Sequence, residues 1–166
     1  MSVAPLDEQL CFALYTASRA VIAAQRPGLK ELGLTYPQYL AMLALWEEDE
    51  LTIGQLCRRL HLDSGTVSPL IRRLEGLGYL VRRRSVDDER SVTVALTPEG
   101  IALGARADCV YDSLVDAISD ATQEDSGHDG AVDVDGLIQL RSALHTLTEE
   151  LRRHMDAAEP TKGNAS

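Results

Sequence analysis

The sequence predicts a mainly α-helical fold carrying one β-hairpin, and three observations predict it. Apolar residues recur at helical spacing along most of the 166-residue chain, in an Ala, Leu, Arg and Glu vocabulary with only 4% aromatic residues. Near residue 80 the period falls to two: Leu80, Arg82 and Arg84 alternate with Val81 and Arg83, and Val92, Val94 and Leu96 resume the pattern after a polar tip at 86–90. Basic charge gathers in the same region. Residues 51–97 hold eight Arg against five Asp/Glu, a balance of +3, in a chain of −10, so the remainder carries −13. Helix, turn, helix and hairpin in that order spell a winged helix-turn-helix over 51–97, flanked by N- and C-terminal dimerisation helices.

At this length the chain is expected to be a single domain, 1–166. Residues 7–26 read as a long helix, with Leu10, Leu14, Ala17 and Val21 along one stripe and Cys11, Tyr15, Ser18 and Ile22 along the next. Arg26-Pro27-Gly28 should stop it, and 29–34 forms a short piece closed by Gly33. Thr35 then caps a helix with Pro37 in its first turn, a position that suits proline because its missing N–H has no helical partner there. Through Trp46 this helix is apolar nearly all round (Tyr39, Leu40, Met42, Leu43, Leu45), which makes it the buried centre.

In the reading module, Ile53, Leu56, Cys57 and Leu60 line one face of a first helix, and His61-Leu62-Asp63 makes the turn. A second helix opens at Asp63 or Ser64, both good N-caps, and should bury Val67, Leu70, Ile71, Leu74 and Leu77 before Gly76 and Gly78 end it. Its outer face carries Thr66, Pro69, Arg72 and Arg73: small hydroxyls at the start and cations one to two turns on, as in a helix that approaches base edges with its first turns. The candidate DNA-reading residues are therefore Asp63, Ser64, Thr66, Ser68, Arg72 and Arg73 on the helix, with Arg83, Asp88 and Arg90 in the wing. Arg90 is the natural minor-groove probe, and Asp88 is placed to brace it. The expected partner is double-stranded DNA, bound with steep salt dependence.

Beyond the wing, Thr97-Pro98-Glu99 repeats the cap-then-proline signal and starts a helix to about 119. Residues 119–132 are polar, acidic and glycine-containing, a flexible connection by composition. A last helix, 134–155, spaces Leu137, Leu140, Leu144, Leu147 and Leu151 as a seam that wants a partner helix, and 157–166 is a patternless tail expected to be disordered. Helices 7–26, 98–119 and 134–155 are the expected dimerisation elements of a homodimer on a palindromic operator. No stretch approaches the ~20 apolar residues of a membrane span and no leader pattern opens the chain, so it is expected to be cytoplasmic, away from membranes. Cys11, Cys57 and Cys109 are odd in number and widely spaced, and the four histidines are scattered singly, so neither a disulfide scaffold, a metal site nor a cofactor is expected.

Four blocks in order, LCFALYTASRA at 10–20, LGLTYPQYLAMLALWE at 32–47, LDSGTVSPLIRRLE at 62–75 and DDERSVTVALT at 87–97, resemble the MarR family of bacterial transcriptional regulators, in its organic-hydroperoxide-sensing (OhrR) branch. The resemblance covers roughly 6–155. It implies a repressor that leaves DNA when an organic hydroperoxide oxidises a sensor cysteine, which falls on Cys11. Cys11 lies early in its helix, where N-terminal peptide dipoles favour an anion, with Asp7 and Glu8 nearby working the other way. The resemblance also implies partner-subunit tyrosines around the sensor. Tyr36 matches one of them; at the other position this chain has Gln25, an amide in place of a phenol. Tyr15, one helical turn from Cys11, is a further candidate, and Cys57 on the inner face of its helix reads as structural. Some members of the branch pair the sensor with a second cysteine in the helix after the wing. Cys109 lies in that helix, earlier than the expected position, and a low-molecular-weight thiol is the other candidate resolving partner.

Two other readings compete. One is a MarR-type regulator induced by a small lipophilic ligand in a cleft between dimerisation helices and winged helix. The other, an enzyme, is a thiol peroxidase; apart from Arg19 no Cys-Xaa-Xaa-Cys or activating His/Arg pair accompanies Cys11, and a basic wing would have no purpose there. A non-enzymatic regulator is the expectation.

Overall fold

A computed structural model describes residues 4–84, 92–124 and 134–158. After a 3-10 turn at Leu6–Glu8 the elements are α1 (Leu10–Ala24), α2 (Arg26–Leu32), α3 (Tyr36–Glu47), β1 (Leu51–Thr52), α4 (Ile53–Leu60), α5 (Ser64–Gly76), β2 (Leu80–Arg84), β3 (Val92–Leu96), α6 (Pro98–Gly104), α7 (Asp108–Glu124) and α8 (Val134–Ala158). The chain forms two units, 1–121 and 122–166. The wing tip with Asp88 and Arg90, most of the acidic connection and the end of the tail lie outside the described residues. None of the described helices is long and apolar enough to cross a membrane.

In the first unit the apolar α3 is the centre, as its sequence predicts: Ala41, Met42 and Leu45 are fully buried among Leu56, Val67, Ile71, Leu74, Leu80, Val94 and Val110. Each such aliphatic side chain contributes about 1.5–3 kcal/mol by leaving water. These residues come from α3, α4, α5, the sheet and α7, so one core holds the reading module to the helix that follows it. Local signals set the ends of α3 and α4. Gln38 accepts from the Thr35 backbone at 2.8 Å, and Gln55 from Thr52 at 2.7 Å, satisfying N–H groups that precede the first helical turn.

The structure differs from the sequence expectation at several joints. The sheet has three antiparallel strands in the order β1-β3-β2, because Leu51 and Thr52 pair with Val94 and Thr93. Two residues are too few to show a period. The N-terminal helix runs from Leu10 to Ala24, shorter than 7–26, and Arg26-Pro27-Gly28 opens α2 directly, since proline near a helix start lacks only an N–H that would have no partner. The stretch expected as one helix over 98–119 is two, α6 and α7, and α7 continues to Glu124. Gly104, a weak helix former, sits at that break against Trp46, where a Cβ would come 2.9 Å from the indole nitrogen. Leu77, expected inside, is 50% exposed because α5 ends at Gly76 and the chain turns away.

α1 packs within its unit chiefly against α2 and the preceding turn, and buries none of its residues. Leu10 is 61% and Tyr15 56% exposed. In the second unit, α8 leaves Leu137, Leu140 and Leu151 exposed while Leu144 and Leu147 are partly buried.

Candidate nucleic-acid interface and thiol site

The turn between α4 and α5 is shaped by His61, whose left-handed φ of 57° lets Leu62 N donate to Cys57 O at 3.1 Å and close α4. Asp63 then caps α5. Its carboxylate accepts from Thr66 N at 2.9 Å and from the Thr66 hydroxyl at 3.0 Å, and these hydrogen bonds hold the Asp63 carboxyl below the usual carboxylate range. Asp63 and Thr66 thus shape the helix start together, with Ser64 exposed beside them and Ser68 partly buried one turn on. Val67, Ile71 and Leu74 hold the opposite face in the core, so Arg72 and Arg73 point outward. Neither arginine side chain has a hydrogen bond or ion pair among the described residues, so no carboxylate among them competes with a phosphate or base edge.

Other cations of the module are placed differently. Arg59 is held by Glu47, by Glu48 at 3.2 Å and by the Ala44 carbonyl at 3.2 Å, which clamps α4 to the end of α3. Arg82 is paired with Glu75 at 2.7 Å, whereas its neighbour Arg83 lies exposed, 3.8 Å from Glu50. Arg58, exposed on α4, is a further cation of the module, and in the sequence its one signal is adjacency to the turn.

Cys11 is the second residue of α1 and exposed. Tyr15 does not turn to it: its hydroxyl accepts from Arg19 at 2.9 Å and the guanidinium lies 5.5 Å from its ring centre. Gln25, at the position of a family tyrosine, is buried at the α1–α2 joint and donates to Val21 O at 3.3 Å. Cys57 packs partly buried against the core.

Cys109, the second residue of α7, faces the start of α2. Its thiol lies 3.6 Å from Gly28 O, while Ser113 accepts from Gly28 N at 3.1 Å and donates to Cys109 O at 2.8 Å. Burial, followed by the Glu31 carboxylate, pushes the Cys109 thiol above its ordinary range. Tyr39, a core residue by its sequence pattern, is buried. Tyr36 and Cys109 pack against the core that holds Tyr39, and burial raises the Tyr39 phenol, with Cys109 and Tyr36 raising it further. Among the described residues no hydrogen bond joins Cys11 to Tyr36 or Cys109.

A three-stranded wing packed on a capped helix with two outward arginines defines a winged-helix DNA-binding regulator. The model of the transcriptional regulator SarA/Rot family matches residues 24–104. The organic hydroperoxide resistance transcriptional regulator of Bacillus subtilis is 41% identical over 89% of this chain and 92% of its own. The chain belongs to the MarR family, in its organic-hydroperoxide-sensing branch. Among solved structures, reduced AbfR bound to DNA is similar with a TM-score of 0.67 and 29% identity, covering 90% of this chain and 95% of that one. The disulfide-formed state of AbfR, a protein of Staphylococcus epidermidis, is similar with a TM-score of 0.56 and 29% identity, over 91% and 92%.

Proposed function

We propose that the protein is a homodimeric repressor that binds a palindromic operator while Cys11 is reduced and releases it when an organic hydroperoxide oxidises Cys11. The observation that carries this reading is an exposed Cys11 early in a helix whose apolar side its own unit leaves uncovered, in a chain 41% identical to the Bacillus subtilis regulator. The uncovered side fits a second copy, which would bring its own Tyr36 towards the sensor. In the chemical step the Cys11 thiolate attacks the hydroperoxide O–O bond, leaving a sulfenic acid on sulfur and an alcohol as the reduced product. The test is a gel-shift on the DNA just upstream of this protein's own gene, with and without an organic hydroperoxide. Retarded DNA that the oxidant frees and a thiol reductant restores is the expected result; binding indifferent to the oxidant would remove the sensor.

In this reading Ser64, Thr66 and Ser68 meet base edges, Asp63 orders them, and Arg72, Arg73 and the wing residues Arg83 and Arg90, the latter braced by Asp88, meet bases or phosphates. Arg72→Ala is expected to weaken operator binding by about 1–3 kcal/mol and to lower the salt slope of log K by about one. Titration of a labelled duplex at several salt concentrations checks both. An unchanged slope would mean that Arg72 touches no phosphate.

The oxidised end state turns on Cys109. A Cys11–Cys109 link between subunits forms when the Cys109 thiolate attacks the sulfenic sulfur and water leaves; it needs α-carbons within about 7 Å. Cys109 must first leave Gly28, so the α2–α7 contact would open. Mild hydroperoxide is then expected to give a dimer band on non-reducing gels that Cys11→Ser and Cys109→Ser each abolish. Because its thiol is raised, the band should form faster as pH rises through and above the ordinary thiol range. A Cys109→Ser protein that remains reversibly inducible would assign resolution to a low-molecular-weight thiol.

Induction by a small lipophilic ligand has a concavity of about 550 Å³ available, floored by Leu43, Trp46, Leu96 and Ile101 with Asp49 and Asp108 also lining it. That reading predicts that Cys11→Ser stays inducible.

A further inference from the structure

The chain reverses sharply between the recognition helix α5 and the wing, at Leu77, Gly78 and Tyr79. Gly78 takes φ +82°, and the elbow closes the end of α5 through Leu77 N to Arg73 O at 3.1 Å, Gly78 N to Glu75 O at 2.9 Å and Tyr79 N to Leu74 O at 3.1 Å, which leaves the carbonyls of Gly78 and Tyr79 facing away from α5. Residues far along the chain meet those carbonyls. Thr97, the N-cap of α6, accepts from Gly100 N at 3.0 Å and donates its hydroxyl to Gly78 O at 2.6 Å, and its backbone N–H donates to Tyr79 O at 3.0 Å. One side chain thereby caps a helix and closes the elbow.

Gly100 completes the contact by having no side chain. A Cβ there would lie 2.1 Å from Tyr79 O and 3.1 Å from the Tyr79 carbonyl carbon, so only glycine lets α6 approach the elbow this closely. The Gly100 carbonyl in turn accepts from the Trp46 indole at 2.9 Å, which ties the same point to α3. On the other side of the elbow, Glu75 reaches from α5 to β2 and accepts from Arg82 Nε at 2.7 Å and Arg82 N at 3.3 Å.

We propose that Thr97 and Gly100 are positioning residues for DNA reading: they set the angle between recognition helix and wing and, through Trp46, connect that angle to α3, whose first turn carries Tyr36. This rests on the reading of the module as DNA-binding. A hairpin reaches DNA at the end of a lever, so a small change of angle at the elbow displaces the wing from its groove while leaving the recognition helix able to enter the adjacent one.

The experiment uses the full-length reduced protein and a duplex that the wild type selects from a random pool. Thr97→Val keeps shape and removes the hydroxyl; Thr97→Ser restores it. Thr97→Val is expected to bind about tenfold more weakly, with loss of hydroxyl-radical protection at the flanks of the footprint and retention at each half-site centre. Thr97→Ser should behave as wild type. Should Thr97→Val not fold, Trp46→Phe, which removes the N–H donated to Gly100, carries the same footprint expectation with a loss of about threefold. Wild-type affinity and footprint in Thr97→Val, a loss that is uniform across the footprint and tracks the fall in thermal midpoint, or no rescue by serine would each overturn the proposal. A wild type that selects no sequence would instead overturn the DNA-binding reading beneath it.

Discussion

Replacing Cys11 by Ser is expected to leave reduced operator affinity within about threefold of wild type and to abolish release by organic hydroperoxide. The side chain is exposed on α1 with no hydrogen bond among the described residues, so a one-atom change should alter little in the folded chain. Chemically the change is complete. A serine hydroxyl is not deprotonated near neutral pH and does not attack the O–O bond, so no sulfenic acid forms. Wild-type affinity should fall about a hundredfold on oxidation, the upper range of ordinary coupling between two sites, while that of Cys11→Ser should not move. The remaining thiols are poor substitutes: Cys57 packs against the core, and Cys109 is partly buried with its thiol raised by desolvation. A Cys11→Ser protein still released by hydroperoxide would transfer sensing to another residue. One released by an unoxidising lipophile would establish the ligand-induced reading.

If the protein is the proposed homodimer, Leu144→Asp is expected to yield monomers and to lower operator affinity by about 10²–10⁴, because each reading module would then bind one half-site without the high effective concentration its tether provides. α8 presents Leu137, Leu140, Leu144, Leu147 and Leu151 as a row at three- and four-residue spacing, of which Leu137, Leu140 and Leu151 are exposed and Leu144 and Leu147 partly buried. Hydroxyls along the helix return to their own backbone, Ser142 to Ile138 O at 3.0 Å and Thr148 to Leu144 O at 2.8 Å, and make no demand on a partner. A carboxylate at 144 would have to enter an apolar seam unpaired, which costs far more than one leucine contact returns. Sedimentation velocity decides. A variant that stays dimeric would show that this row is not the interface and leave the uncovered side of α1 to carry the association.

Much of the reading module was legible because its signals are local. Ile53, Leu56, Cys57 and Leu60 face inward at helical spacing, Asp63 caps the next helix with its own carboxylate, and Thr97 with Pro98 starts α6, all within one turn of backbone. Arg72 and Arg73 were also predictable as outward cations, since Val67, Ile71 and Leu74 commit the other face of α5 to the core. Cys11 and Tyr36 entered through family resemblance, because a lone thiol and a helix-start tyrosine have no spacing that distinguishes a sensor from a packed residue.

By itself, then, the sequence determined the helix, turn, helix and hairpin order of the reading module, the outward face of the recognition helix and the concentration of basic charge, because periodicity, capping and charge are properties of neighbours in the chain. Tertiary structure alone decided which carboxylate meets each of two adjacent wing arginines: Arg82 and Arg83 look alike in an alternating run, and only the fold brings Glu75 to Arg82 at 2.7 Å and Glu50 to the more exposed Arg83 at 3.8 Å. It alone added β1, whose two residues pair with β3 more than forty positions away. It alone packed Cys109 against the core that holds Tyr39, and set Thr97 under the elbow at Gly78. Each of these contacts joins groups separated by several turns or a whole element, and their meeting depends on how the shared core of α3, α4, α5 and the sheet closes, which no local pattern encodes.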